Sequence, residues 1–184
     1  MSTTDVATSP SSTSVDVVCR AVAGTGERQI HHAIRRQVFV VEQSLFAADD
    51  RDDHDGDPAT VHVLGFVDGV PAGAVRLYPL DEPGQWKGDR LAVLSAFRRH
   101  GVGAPLVRFA VRTAGELGGR RMIAYIQLTN VSFFSRLGWQ PVGDPAPYVG
   151  VMHQQMAIPL SAPKSPASAA NPDQRPASGS REPG

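Results

Sequence analysis

Asp89-Arg-Leu-Ala-Val-Leu-Ser-Ala-Phe-Arg-Arg-His-Gly-Val-Gly-Ala104 reads as a strand, a short turn carrying two glycines, and the first residues of an amphipathic helix. Glycine removes the Cβ atoms that would keep a ligand away from the backbone. The free N–H groups of such a turn and the positive end of the helix dipole then favour a phosphate. Arg98, Arg99 and His100 add positive charge at the same place. An ordinary strand-to-helix turn with a solvated basic rim has the same local signature, so the glycines alone do not decide. Two nucleotide motifs are absent: no Gly-x-x-x-x-Gly-Lys-Ser/Thr string occurs, and no third glycine completes a dinucleotide fingerprint after Gly101-x-Gly103.

Working outward, Leu106, Val107, Ala110, Ala114 and Leu117 line one face of the helix that follows the turn, and Gly118-Gly119 ends it. Pro105 is tolerated because the first turn has no intrahelical use for its N–H. Upstream, 61–67 and 72–78 form a hairpin across Asp68-Gly69, a dipeptide that accepts positive φ. Val15–Val22 is a first strand. Thr25 is the expected N-cap of a helix starting near Glu27, with Ile30, Ile34, Val38 and Val41 as one buried stripe. A long polar loop follows Gln43. Downstream come a strand over 122–127, a short helix over 130–137 and a final strand over 149–158. The order is mixed α/β, with hairpins early and strand–helix–strand units late.

The chain has 184 residues and 19.6 kDa, which fits one domain. Eighteen basic and eighteen acidic side chains cancel, so no global attraction for nucleic acid or anionic lipid exists. Cys19 is the single cysteine, which excludes an internal disulfide and cysteine-clustered metal sites. No apolar run approaches a membrane span, and the first residues lack a secretory pattern, so the expectation is a cytoplasmic protein with neither nucleic-acid nor membrane partner. Residues 1–14 contain nine Ser or Thr, and 161–184 are Ala, Pro, Ser or Gly at 17 of 24 positions. Both segments are expected to be disordered, leaving 15–160 as the folded unit.

With these elements in place, Arg98-Arg99-His100-Gly101-Val102-Gly103 resembles the Arg/Gln-x-x-Gly-x-Gly/Ala signature of the Gcn5-related N-acetyltransferase (GNAT) superfamily, placed as in those enzymes after a Leu-Ala-Val strand. Arg35, Val38-Phe39, Glu42-Gln43 and the Asp-rich loop resemble the start of one branch. Gln127, Asn130, Phe133-Phe134, Leu137-Gly138-Trp139 and Gly150-x-x-His153-x-x-Met156 resemble its second half. The likeness covers nearly all of the folded unit and extends, less specifically, to the nitrogen-starvation N-acetyltransferases. It implies a single-domain α/β fold with a mixed, splayed β-sheet flanked by helices, and acetyl-coenzyme A as co-substrate.

The resemblance further implies that Leu91, Ala92 and Val93 offer backbone groups to the pantetheine arm, with the Val93 N–H polarising the acetyl carbonyl. Arg98, Arg99, His100, Gly101, Val102 and Gly103 would cradle the diphosphate, and Asn130 and Phe134 would lie along the coenzyme. The implied reaction is direct transfer of an acetyl group to a small amine or amino-acid-like metabolite. Longer acyl donors, as in acyl-homoserine-lactone synthases, and a non-catalytic acyl-coenzyme A sensor are alternatives. A homodimer stays open.

Glu42 and His153 are the candidate proton carriers. Each has a bland counterpart, a solvated helix-end carboxylate and a structural histidine. Family members often place a Tyr acid where this chain has Phe134, which has no proton to give; Tyr125 and Tyr148 are its possible replacements. No metal is expected. Setting Gly56 at the sixth position of a calcium loop puts Arg51 first and His62 twelfth, where a Glu is needed. The Asp49–Asp57 stretch is therefore a solvated loop, or a rim that attracts a cationic amine. His31, His32 and His62 read as structural or exposed.

Overall fold

The computed structural model describes residues 15–148 and 150–161. Apart from Ser161, the two terminal segments singled out above lie outside the described residues. In chain order the elements are β1 (Val17–Ala21), α1 (Gly24–Arg36), β2 (Val61–Val67), β3 (Val70–Pro79), β4 (Gln85–Val93), α2 (Gly103–Glu116), β5 (Arg121–Gln127), α3 (Val131–Arg136), β6 (Gln140–Pro141), β7 (Ala146–Tyr148) and β8 (Val151–Pro159). They build one sheet in the order β1-β2-β3-β4-β5-β8-β6, with β7 also on β8. Every pairing is antiparallel except β4 with β5, which α2 connects as a parallel crossover. This is the mixed, helix-flanked α/β sheet that the sequence implied.

Alternation along the strands feeds two cores. On β2, Val63 joins the larger cluster under α2, with Leu77, Leu106, Met122 and Met156. Its neighbour Leu64 joins the smaller cluster under α1, with Ile34, Val38, Phe39 and Ala92. Both faces of the central strands are covered, as a sheet between two helical layers requires.

Helix α1 differs from expectation at both ends. It starts at Gly24, with Ala23 rather than Thr25 at the N-cap. No N-cap side chain acts there; Glu27 instead accepts the Ala23 N–H at 2.8 Å and pairs with Arg20. Beyond Arg36 the helix widens to a π-helical segment over Gln37–Glu42, where the Gln43 N–H reaches the Val38 carbonyl at 3.0 Å. The extra residue per turn rotates the apolar face. Phe39 is turned inward, while Val41 is 54% exposed and Ile30 38%, so the expected four-residue stripe is not continuous.

Helix α2 is seated by a glycine pair. Gly65 and Gly73 face each other across β2 and β3. A Cβ on Gly73 would stand 2.8 Å from Leu106 Cδ1 and 3.0 Å from the Ala92 carbonyl oxygen; one on Gly65 would stand 2.8 Å from Val102 Cγ2. Because backbone bounds the Gly73 space, the clash cannot relax through side chains alone. Gly73→Val is expected to destabilise the fold by about 1–3 kcal/mol, read as a lower urea midpoint at unchanged slope. An unshifted midpoint would show that α2 is not wedged there.

Candidate active site

β4 begins four residues earlier than the sequence suggested, at Gln85, and is forked from β5. The two strands pair only at Gln85–Arg121, Trp86–Met122 and Lys87–Ile123. Past Lys87 they diverge, and β4 stays paired with β3 alone. The divergence coincides with a bulge: Ala74 faces Ala92 and Arg76 faces Asp89, so β4 has one residue more than β3 between the two pairs. Arg90, inside the bulge, has φ +53. A bulge bends its strand and re-aims the residues around it. The left-handed conformation of Arg90 is held by its side chain, which donates to the Asp50 carbonyl at 3.0 Å and to Asp52 Oδ2 at 3.1 Å.

The fork leaves one edge of β4 unpaired, and alternation shows which groups face it. The Leu94 N–H donates to Ala72 on β3 at 3.0 Å. The backbone of Val93 and Leu91 therefore faces the opposite, open edge. The Val93 carbonyl accepts from Arg98 Nε at 3.2 Å.

This edge leads into a tight turn over Ser95–His100 and then to α2. Gly101 closes the turn at φ +71, a left-handed conformation that glycine adopts without a Cβ penalty. A Cβ on Gly101 would meet nothing within 4 Å, so the space above it is open. No side chain caps α2, and Pro105 has no N–H, so the Gly103 and Ala104 amides are the free donors at its start. Arg99 and His100 are exposed beside them, while Arg98 is turned back to Glu42 and Val93.

A cleft of about 150 Å³ runs through the fork. Leu91, Asn130, Phe134 and His153 line it, together with Tyr125 and Tyr148. His153 is buried, and its Nδ1 donates to the Val151 carbonyl at 2.8 Å. A carbonyl only accepts, so Nδ1 is the donor of this bond, and Nε2 is the nitrogen left to accept a proton. Tyr148 meets the His153 ring edge-on at 5.3 Å and stacks on Tyr125 at 5.7 Å. Phe134 is buried between Phe133 and Trp139. Glu42 does not line the cleft; its carboxylate pairs with Arg98. Ala92 packs under α1 instead of facing the fork.

The Asp-rich segment is only in part the solvated loop expected from sequence: Asp49, Asp52, Asp53 and Asp57 are exposed, while Asp50 and Asp55 are buried. Arg35 and Arg76, both fully buried, hold it down. Arg35 Nε donates to Asp50 at 2.7 Å, and its other nitrogens reach both oxygens of Asp55. Arg76 binds Asp89 at 2.8 Å and Asp52 at 2.5 and 2.8 Å. Burial pushes the Asp55 carboxyl up, but the Arg35 hydrogen bond and charge outweigh it and hold the group well below the usual range. Asp50, Asp52 and Asp55 thus have cationic partners within the fold. Their task is to fasten the loop after α1 to β3 and to the bulge of β4.

Beside Asp55, the sequence reading missed a gathering of His31, His32 and His62. Their ligand nitrogens lie within 4.8 Å of one another, and several are buried without a partner among the described residues. Asp55, beside them, is engaged by Arg35.

A mixed sheet forked at one parallel junction, with an open strand edge running to uncapped helix amides, is the architecture of an acyltransferase fold. The chain belongs to the acetyltransferase (GNAT) family, whose model matches residues 28–139. Among curated proteins of Bacillus subtilis (strain 168), one named as an acetyltransferase is 29% identical over 137 residues, covering 72% of this chain and 90% of that protein. The protein YjcF, named as an N-acetyltransferase, is 28% identical over 140 residues, covering 74% and 97%. Among solved structures, Escherichia coli ElaA superposes with a TM-score of 0.67 at 22% identity, covering 78% of this chain and 98% of that one. The CoA-dependent acyl-homoserine lactone synthase BjaI gives 0.63 at 17%, covering 79% and 84%. An aminoglycoside 6′-N-acetyltransferase complexed with coenzyme A gives 0.61 at 13%, covering 80% and 99%. Among the described residues, no helix is long and apolar enough to cross a membrane.

Proposed function

We propose that the protein transfers an acetyl group from acetyl-coenzyme A to the amine of a small molecule. The observation that carries this reading is the open edge of β4 leading straight to the free amides of Gly103 and Ala104. An extended pantetheine arm fits along such an edge as a strand would, and its diphosphate fits the uncapped, basic helix start. The cleft between the parted strands is where the acyl group and a small acceptor would meet.

In this reading the Val93 N–H donates to the acyl oxygen and binds more strongly as negative charge develops there, the kind of contact worth about 3–4 kcal/mol. His153 Nε2 accepts the proton that the attacking amine releases as the C–N bond forms. The C–S bond then breaks, and the thiolate takes a proton. Tyr125 or Tyr148, on the same cleft, stands where Phe134 cannot serve. A thiol pKa near 8.5 also lets protonation follow departure. Asn130 and Phe134 form the wall along the arm. Glu42 acts through Arg98, keeping that side chain clear of the helix start.

The test is release of free thiol from acetyl-coenzyme A by the full chain across a panel of primary amines, followed by a donor-length series. Amine-dependent release that falls as the acyl chain lengthens is expected. His153→Gln should lower kcat by about 10²- to 10⁴-fold with little change in coenzyme affinity. Binding without release across the panel would make the chain a sensor. Faster release from long donors would move it to the acyl-homoserine-lactone-synthase type.

A further inference from the structure

Lys87 is the only lysine between residues 15 and 161, and it stands at the point where β4 and β5 part. It is half-buried and lines the cleft. Its Nζ lies 5.3 Å from the Tyr125 ring centroid, 5.8 Å from Tyr78 and 6.0 Å from Tyr148. Three aromatic faces thus surround one ammonium. Such contacts attract a cation but do not neutralise it.

The other charged side chains on this cleft are matched. Asp89 is bound by Arg76, and Arg90 by Asp50 and Asp52. Among the described residues Lys87 has no carboxylate within salt-bridge distance. Tyr78 supplies no counter-charge: burial, and after it Asp89, pushes its phenol up, so it stays neutral. An ammonium partly withdrawn from water between apolar walls is costly without an anion. The coenzyme diphosphate is not that anion. Lys87 stands where the two strands part, and the free helix amides lie past Val93, at the other end of the open edge. The groups near Lys87 are those of the acceptor end, Tyr148 and through it His153.

We infer that Lys87 forms an anion subsite for the acceptor, and that the acceptor is an amine carrying a carboxylate, an amino-acid-like molecule. This rests on the transferase reading above and narrows its substrate class. The carboxylate would sit over the ammonium, among the tyrosine edges. An amine set off from that carboxylate by the length of the molecule would then lie toward Tyr148 and His153 on the same cleft.

The experiment compares amino acids with their carboxamides as acceptors, in the parent chain, Lys87→Met and Lys87→Glu. The parent should favour the carboxylate in kcat/KM. Lys87→Met should lower the carboxylate-to-amide ratio at least tenfold, mainly through acceptor KM, and Lys87→Glu should invert the preference. Calorimetry with the same amino acids, on chain saturated with coenzyme A, reads the subsite without turnover. Heat in the parent that vanishes in Lys87→Met supports the subsite even if the thiol assay fails. An unchanged ratio in Lys87→Met, or no heat from any amino acid in the parent, overturns it. Retained coenzyme A binding in both variants shows that they fold.

Discussion

Ala104→Glu should abolish the rise in melting temperature that coenzyme A gives the parent chain, while the unliganded melting temperature stays level or increases. The two effects have opposite signs because one carboxylate meets two partners. Alone, an acidic side chain in the first turn of α2 complements the helix dipole, worth about 0.3–1 kcal/mol. With ligand, it confronts the diphosphate at the amides of Gly103 and Ala104. Repulsion of about 2–4 kcal/mol at close range in a partly solvated site corresponds to roughly 30- to 1000-fold in affinity. Ala104 is partly exposed and stands in the first turn of α2, next to the free amides. This variant is preferable to a bulky residue at Gly101, whose φ of +71 would strain the turn and confuse folding with binding. Calorimetry showing parent-like affinity in Ala104→Glu would place the diphosphate elsewhere, and the assignment of the turn would go with it.

The second large effect is acid sensitivity. Burial, aided by Arg35, lowers the His31 pKa to about 3, and burial, aided by Arg28 and Arg35, lowers that of His62 to about 4. Unfolded, both histidines titrate near 6.5. The folded state therefore binds fewer protons than the unfolded state between these limits. Stability is fully present above pH 6.5 and is lost as pH falls toward 4, flattening only below the folded values. With two protons taken up on unfolding, the slope reaches about 2.7 kcal/mol per pH unit between roughly pH 5.5 and 4.5. Carboxylates such as Asp55, held low by Arg35, add their loss only at still lower pH. Urea unfolding at half-unit pH steps reads this slope, and His62→Gln should halve it. Stability that stays flat from pH 6.5 to 4.5 would mean that the buried cluster takes up protons while folded.

Much of the fold is legible in the residues because its signals are local. The Asp68-Gly69 hairpin, the apolar face of α2 and the glycine turn are each written within one or two turns of chain, and each forms where the pattern puts it. The forked sheet came from family resemblance, since no local pattern states that two strands separate. The start of β4 was missed because Gln85-Trp-Lys-Gly88 has no clean alternation. The end of α1 was misjudged because a π-helical turn breaks the 3.6-residue period on which the stripe was counted.

The candidate site divides in the same way. By itself the sequence determined the α/β class, the glycine turn with its basic approach, and the family of acyl-transferring enzymes. Short-range spacing fixes backbone shape, and the proposed diphosphate site rests on that shape. Only the tertiary structure decided what the charges do. Arg35 meets Asp50 and Asp55, Arg76 meets Asp52 and Asp89, and Glu42 meets Arg98 across 56 residues, pairings with no period in the chain. Those contacts fasten part of the acidic segment through buried Asp50 and Asp55 and leave Lys87 as the unmatched charge on the cleft. Charge complementarity is a property of separations in space, and chain order does not encode them.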